Sequence, residues 1–242
     1  MLFARAKDSQ TWLVVGLGNP GAKYQNTRHN IGQLALDALA GDNKFEKHKS
    51  GMLVCTKKLG EVKLLLAKST GFMNETGAPT KSLASFYKIS SNNLVAIHDE
   101  LDLPFNSLRI KVGGSDNGHN GLKSLTTHFG ADYYRIRLGI GRPSNQMDPA
   151  DYVLQKFSQS ESKQILDFSI TAAQAIETLV LDAYLKRKPN LTIRNQPVFR
   201  NPAATPLIVN NKPRINAGSA ACGLLLLTFF KSETCNKCSG AK

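Results

Sequence analysis

Thr11-Trp-Leu-Val-Val15-Gly16-Leu-Gly18-Asn19-Pro20-Gly21 is an apolar run that feeds a glycine-rich turn, and Tyr24-Gln-Asn-Thr-Arg28-His29-Asn30 follows it. The apolar run predicts a buried strand, so the turn lies at the strand's carboxyl end. Three later segments show the same arrangement, a loop signal just after a strand-like apolar run. They are Phe72-Met73-Asn74, Ile97-His98-Asp99-Glu100-Leu101-Asp102, and Gly113-Gly-Ser-Asp-Asn-Gly118-His119-Asn120-Gly121. In open α/β sheets ligands bind at the carboxyl ends of strands. The four segments are therefore expected to converge on one site around His29.

Working outward, Asn30 is expected to cap a helix from Ile31, with Leu34, Leu36 and Leu39 as apolar positions and Gly41 as its stop. Strands are predicted over residues 52–56 and 62–67, joined by a turn at Gly60. Thr76 is expected to cap a second helix with Leu83, Phe86 and Ile89 on one face. Further strands are predicted over 94–97, 108–112 and 135–141, with a turn at Pro104 and a helix over 121–129. Ser158-Gln-Ser-Glu161 is a capping-box pattern. It opens a long amphipathic helix with Ile165, Phe168, Ala172, Ile176, Leu179 and Ala183 at spacings of three or four, which Pro189 ends. Strands and helices that mix along the chain predict an α/β class with a mixed sheet. The expected organisation is an extension over residues 1–10, one domain over 11–190 and a tail over 191–242.

The chain has 242 residues and a formal charge of +13. That charge is uneven. From Lys186 onward there are ten Lys or Arg and one acid, Glu233, so the preceding residues carry only +4. The high isoelectric point is thus weak evidence for a nucleic-acid partner by itself. Pro197, Pro202, Pro206 and Pro213 interrupt the tail, whose composition predicts disorder. The apolar segment 220–230 is roughly half of the ~20 residues that span a bilayer, so no membrane partner is expected. Cys55 is alone in the predicted domain, which excludes a disulfide framework there, and Cys235-Asn-Lys-Cys238 is a weak metal signal. No secretory signal is read at the start, and a cytoplasmic location is expected, with a mitochondrial one as the alternative.

Gly16-x-Gly18-x-x-Gly21 matches the dinucleotide fingerprint in letters alone. That motif needs a helix to begin at the loop and an acid to end the second strand. Here Pro20 sits in the loop and Thr56-Lys-Lys58 ends the next strand, so nucleotide binding is disfavoured. His29 needs an acceptor on its second ring nitrogen to act as a base, and Asp99, Glu100 and Asp102 are the candidates. Neither Ser69 nor Ser115 has a nucleophile's context, which favours water activated by histidine. Zinc hydrolysis through His29, His98, Asp99 and His119 is the competing mechanism, but no His-x-x-x-His spacing supports it. Asn19, Asn74 and Asn120 are loop amides. Turn chemistry is their plain role; facing one histidine, they would suit a peptide backbone, which both donates and accepts. Lys111 and Lys123 flank the Gly113-Gly114 loop and could hold a phosphate at a helix N-terminus, with Arg135, Arg137 and Arg142 nearby.

Together these pieces resemble the bacterial-type peptidyl-tRNA hydrolase family. The matching segments are Gly16-Leu-Gly-Asn-Pro-Gly21, Tyr24 with Thr27-Arg-His-Asn30, Gly71-Phe-Met-Asn74, His98-Asp-Glu-Leu-Asp-Leu-Pro104, Gly118-His-Asn-Gly-Leu-Lys123 and Arg137-Leu-Gly-Ile-Gly-Arg-Pro143, in family order. The resemblance implies a monomer with a twisted mixed sheet and no metal or organic cofactor. It implies hydrolysis of the ester between a peptide and the 3′-terminal ribose of tRNA. His29 would activate water and Asp99 would orient and polarise it. Asn19 and Asn74 would hold the substrate, and Asn120 with His119 would bind the peptide main chain. Tyr24 and Met73 would line the channel, and Lys111 and Arg137 would clamp the tRNA 5′-phosphate. The loop Gly113-Gly-Ser-Asp-Asn-Gly118 departs from the family's richer glycine pattern, and Asp116 is expected to weaken phosphate affinity there. A non-catalytic RNA-binding relative would be expected to lack His29, Asp99 or Asn19, and all three are present.

Overall fold

The computed structural model of the protein describes residues 10–143 and 146–187, together with Ile208–Val209. Among these residues the strands are β1 (Thr11–Gly16), β2 (Glu46–His48), β3 (Met52–Leu59), β4 (Val62–Ser69), β5 (Leu94–Glu100), β6 (Leu108–Val112), β7 (Tyr134–Gly139) and β8 (Ile208–Val209). The helices are α1 (Ile31–Ala40), α2 (Gly77–Phe86), α3 (Asn120–Phe129), α4 (Pro149–Leu154) and α5 (Gln159–Arg187). One mixed sheet has the strand order β2-β3-β4-β1-β5-β7-β6-β8. β4, β1, β5 and β7 run parallel, while β3 and β6 pair antiparallel with β4 and β7. Ile208–Val209 fall inside the segment expected to be a tail and pair with β6; the remainder of 191–242, and residues 1–9, lie outside the described residues.

The strand pattern follows from double-sided burial. Trp12 and Val14 enter a core layer shared with α1 and α5, whereas Leu13 and Val15 enter one shared with α2 and α3. Every residue of β5 is buried. A strand covered by helices on both faces reads as a continuous apolar run rather than an alternation. Close helix approach explains two glycines. A Cβ on Gly32 would stand 2.3 Å from Ile97 O, and one on Gly16 would stand 2.6 Å from Gly32 O. Gly16 therefore serves the packing of α1 on the sheet, not a pyrophosphate.

The expected capping box forms: Ser158 N–H donates to Glu161 Oε2 at 2.7 Å and Glu161 N–H to Ser158 Oγ at 3.2 Å. Other local expectations are corrected. Asn30 precedes α1 but its side chain makes no cap bond, because Asn19 claims it. Thr76 is itself helical and its hydroxyl donates to Met73 O at 2.9 Å. Phe86 is 53 % exposed instead of facing the core, and Ile89 lies beyond the end of α2. The polar β2 and the short α4 carry too little apolar pattern to be predicted. Asp148-Pro149 is nevertheless a start signal for α4, since Asp148 Oδ1 accepts from Ala150 N–H at 2.8 Å. Among the described residues no helix is long and apolar enough to cross a membrane.

Candidate active site

The neighbours of β1 are β4 on one side and β5 on the other. That reversal leaves a crevice at the carboxyl ends of β1 and β5. All four loop segments meet there around a cavity of about 490 Å³. Its wall includes Asn19, His29, Met73, Asn74, Asp99, His119 and Asn120.

Asp99 Oδ1 is the focus. It accepts from His29 Nδ1 at 2.8 Å and from His119 Nε2 at 3.0 Å. The side chains of His29, Asp99 and His119 are only 11 %, 3 % and 8 % exposed. Neighbouring groups assign the tautomers. His119 Nδ1 accepts from Gly121 N–H at 3.1 Å and Leu122 N–H at 3.3 Å, so its proton resides on Nε2. His29 donates from Nδ1, which leaves its Nε2 as a lone-pair acceptor. Burial works to lower the His29 pKa, but the charge of Asp99 and its hydrogen bond outweigh this and raise it above 6.5. Burial likewise opposes ionisation of Asp99, yet His29 and His119 hold its carboxyl well below the usual carboxylate range. The next histidine differs. His98 is 2 % exposed, donates from Nδ1 to Asp99 O at 2.7 Å, and sits with its ring centroid 5.2 Å from that of His119. Burial, then the proximity of His119, push its pKa down to about 3, so it is neutral at ordinary pH.

The glycine turn holds Asn19 by three bonds. Its N–H donates to Asn30 Oδ1 at 2.9 Å, its carbonyl accepts from Asn30 Nδ2 at 2.8 Å, and its Oδ1 accepts from Met73 N–H at 2.8 Å. With Oδ1 engaged, the Nδ2 donor is what Asn19 can offer a ligand. Asn74 and Asn120 complete an amide set on the same cavity. Leu101, Pro149, Val153 and Leu154 supply an apolar wall. Tyr24 is not part of that wall, contrary to expectation; its ring meets the cavity residue Phe72 edge-on at 6.4 Å.

His29, Asp99 and His119 bring ligand-type atoms within 4.8 Å of one another. Their chemistry does not suit a cation. Both facing nitrogens are donors to the carboxylate, and the backbone N–H groups at His119 Nδ1 fix the proton on Nε2. The helix-terminus phosphate site is also corrected, because His119 already takes the first free N–H groups of α3. Asp116 is neutralised by the buried Arg135 at 3.1 Å. Lys111 and Arg137 lie outside the cavity wall, on adjacent strands β6 and β7. Arg137 Nε donates to Glu100 Oε2 at 2.9 Å.

Arg28 and Asn30 have structural roles that sequence reading missed. Arg28 is 7 % exposed and donates to Lys156 O at 2.7 Å and Glu161 Oε2 at 2.8 Å. Its guanidinium also lies 4.4 Å from the ring centre of Tyr152. It thereby ties the His29 loop to α4 and α5. The only signal in the sequence was its place beside His29.

Comparison with known proteins agrees with this geometry. The family model described as Peptidyl-tRNA hydrolase matches residues 13–196. A peptidyl-tRNA hydrolase of Kineococcus radiotolerans is 45 % identical over 186 residues, covering 73 % of this chain and 94 % of the relative. One from Streptomyces coelicolor is 47 % identical over 179 residues, covering 71 % and 90 %. The crystal structure of peptidyl-tRNA hydrolase from Acinetobacter baumannii superposes with a TM-score of 0.67 at 30 % identity, covering 74 % of this chain and 92 % of that one. With the His29–Asp99–His119 cluster at the expected strand ends and these matches across the domain, the chain belongs to the peptidyl-tRNA hydrolase family.

Proposed function

We propose that the protein hydrolyses the ester joining a peptide to the 3′-terminal ribose of tRNA, with His29 as the base. The observation that carries this is the shared Asp99 Oδ1, which fixes both histidine tautomers and leaves His29 Nε2 unprotonated toward the cavity. His29 Nε2 takes a proton from water as the water oxygen attacks the ester carbonyl. The anionic Asp99 stabilises the imidazolium that forms. The tetrahedral intermediate then collapses, and the ribose 3′-oxygen leaves with the proton returned by His29. Asn19 Nδ2 is a donor for the developing oxyanion. Asn74 and Asn120 hold the peptide main chain, and the apolar wall takes side chains. Lys111 and Arg137 receive the tRNA 5′-phosphate at the β6–β7 edge.

The test compares N-acetylated aminoacyl-tRNA with free aminoacyl-tRNA in the presence of EDTA. Rapid cleavage of the blocked ester alone is expected. Loss of activity with EDTA, restored by a divalent cation, would replace the histidine mechanism with metal chemistry. Binding of tRNA without cleavage would leave a non-catalytic RNA-binding protein.

A further inference from the structure

On the same face of the sheet as Lys111 and Arg137, but toward the other end of the strand order, β2, β3 and β4 carry a surface that the catalytic cavity does not use. Phe86, 53 % exposed, has its ring centre 5.0 Å from that of Tyr87 and 5.1 Å from that of His48. The planes are inclined at 82° and 64°, so the rings form an edge-to-face cluster with Phe86 outermost. Lys49 Nζ stands 4.4 Å from the Phe86 ring centre, and Lys63 Nζ 5.7 Å from that of Tyr87. Across the strand pair, Lys63 is directly opposite Lys58. Residues opposed in register share a face, and like charges there destabilise the sheet. Exposed Lys88 follows Tyr87. Glu46, opposite Val54, is an acid on the same face.

Neither the exposed part of the Phe86 ring nor the opposed lysines are what folding alone would select. An exposed ring forgoes the gain of burial, and opposed lysines repel. Both suit a ligand with flat π-faces and regularly spaced negative charge. Exposed aromatic rings interleaved with cations are the stacking platform of single-strand recognition, where bases lie on rings and phosphates on lysines. A lipid surface would call for a broader apolar face than one exposed ring, and a protein partner would have to desolvate several ammonium groups. We propose that this face binds single-stranded RNA, with a base stacked on Phe86 and phosphates over Lys49, Lys58 and Lys63. The choice of RNA over DNA rests on the family's tRNA substrate. The strand bound here is separate from the 3′ end in the cavity, because Lys63 is level with Thr11 at the amino end of β1, whereas the cavity lies at the carboxyl ends of β1 and β5.

The experiment uses the full chain, a short fluorescein-labelled oligouridylate and a 4-thiouridine version for photocrosslinking. Phe86→Ala should weaken binding by on the order of tenfold, and Phe86→Trp should restore it. Lys58→Ala with Lys63→Ala should flatten the salt dependence by about 1.4 in log–log slope, ~0.7 for each phosphate released. Crosslinks should map to the segment around Phe86, while hydrolysis of blocked aminoacyl-tRNA stays unchanged in all variants. The proposal is overturned if Phe86→Ala binds like the wild type. It is overturned equally if crosslinks fall only in the catalytic cavity, on β6–β7 or beyond Arg187. Since hydrolysis is read separately, a failure here leaves the catalytic reading standing.

Discussion

Asp99 and Glu100 are consecutive acids at the end of β5, and the protein uses them in two opposite ways. Asp99 accepts from two histidines that its own charge keeps oriented. Glu100 accepts from a permanent cation, Arg137, on the strip formed by β6 and β7. That strip is overfilled with positive charge. Arg109 is directly opposite Arg137, and Lys111 directly opposite Arg135. Acids pair with Arg135 and Arg137, and no such pair is formed by Arg109 or Lys111 among the described residues. The central carboxylate of the cavity is held by two hydrogen-bonded histidines, which fixes geometry. Charge on the strip is left in excess, which attracts an anion over distance. Catalysis needs the first arrangement and capture of a polyanion needs the second.

The sharpest break in this comparison is Asp99→Asn. It keeps the volume and removes the charge that orders both histidines. Turnover of blocked aminoacyl-tRNA should fall by on the order of 10⁴, the scale seen when a base loses its orienting carboxylate, while tRNA binding is retained. The pH profile adds a sign. In the wild type kcat should rise with pH through the His29 pKa, which Asp99 holds above 6.5. Without the anion that midpoint should move to lower pH. A variant that keeps its turnover and its midpoint would show that Asp99 does not tune the base.

His98 belongs to the same cavity but follows neither arrangement, and pH separates it. Its folded pKa is about 3 against 6.5 for an ordinary histidine. Above pH 6.5 both folded and unfolded forms are neutral there. As pH falls from 6.5 toward 3, the unfolded chain binds a proton that the folded protein refuses, so stability drops. The loss should reach a few kcal/mol, since each pKa unit is worth ~1.4 kcal/mol. His98→Gln should flatten that part of the stability-against-pH curve in urea titrations. Asp99 gives the same direction at lower pH, because its depressed pKa adds stability that disappears as the carboxylate protonates. A loss of stability between pH 6.5 and 3 that is unchanged in the variant would assign it to another group.

On the strip the effects are smaller and read through salt. Lys111→Ala and Arg137→Ala should each weaken tRNA binding by about tenfold and reduce the log–log salt slope by about 1, with kcat at saturation unchanged. An unchanged slope in both would remove the phosphate-clamp role.

The amino-acid pattern disclosed the central part of this design more readily than its supports. The apolar runs of β1 and β5 announced doubly covered strands, and the loop chemistry after each announced a shared site. His29 and Asp99 were legible because a histidine base requires an acid and few acids stood near a strand end. Asn30 was misread because an asparagine before a helix is ordinarily a cap, and only tertiary contact shows Asn19 as its partner. Arg28 was invisible because its partners, Gln155, Lys156 and Glu161, are far along the chain. Tyr24 was placed in the channel by family likeness, and a ring's direction from a loop is not written in local pattern. The helix-terminus phosphate site failed for a similar reason, since His119 consumes the N–H groups that made it attractive.

The subtlest test exchanges the second acid for its neutral twin. Glu100→Gln preserves the volume of a side chain that is 6 % exposed, and its single amide oxygen can accept from Asp102 N–H or from Arg137 Nε but not from both. What it removes is the negative charge 2.9 Å from Arg137 Nε. Arg137 would then carry its full charge toward a ligand, and tRNA affinity should rise by about threefold, a fraction of the ~1 kcal/mol that partly exposed pairs contribute. The salt slope should steepen, because another cation is available to displace counterions. Turnover at saturation should stay constant, since the hydrogen bonds of the Glu100 carboxylate go to Asp102 N–H and Arg137 among the described residues, not to His29 or His119. A fall in kcat without a change in affinity would mean that the two acids of β5 act as one electrostatic unit and that the division of labour between cavity and strip is wrong. A rise in affinity alone would show that the protein holds its grip on tRNA below the maximum its own cations allow, which is what an enzyme that must release a large polyanionic product requires.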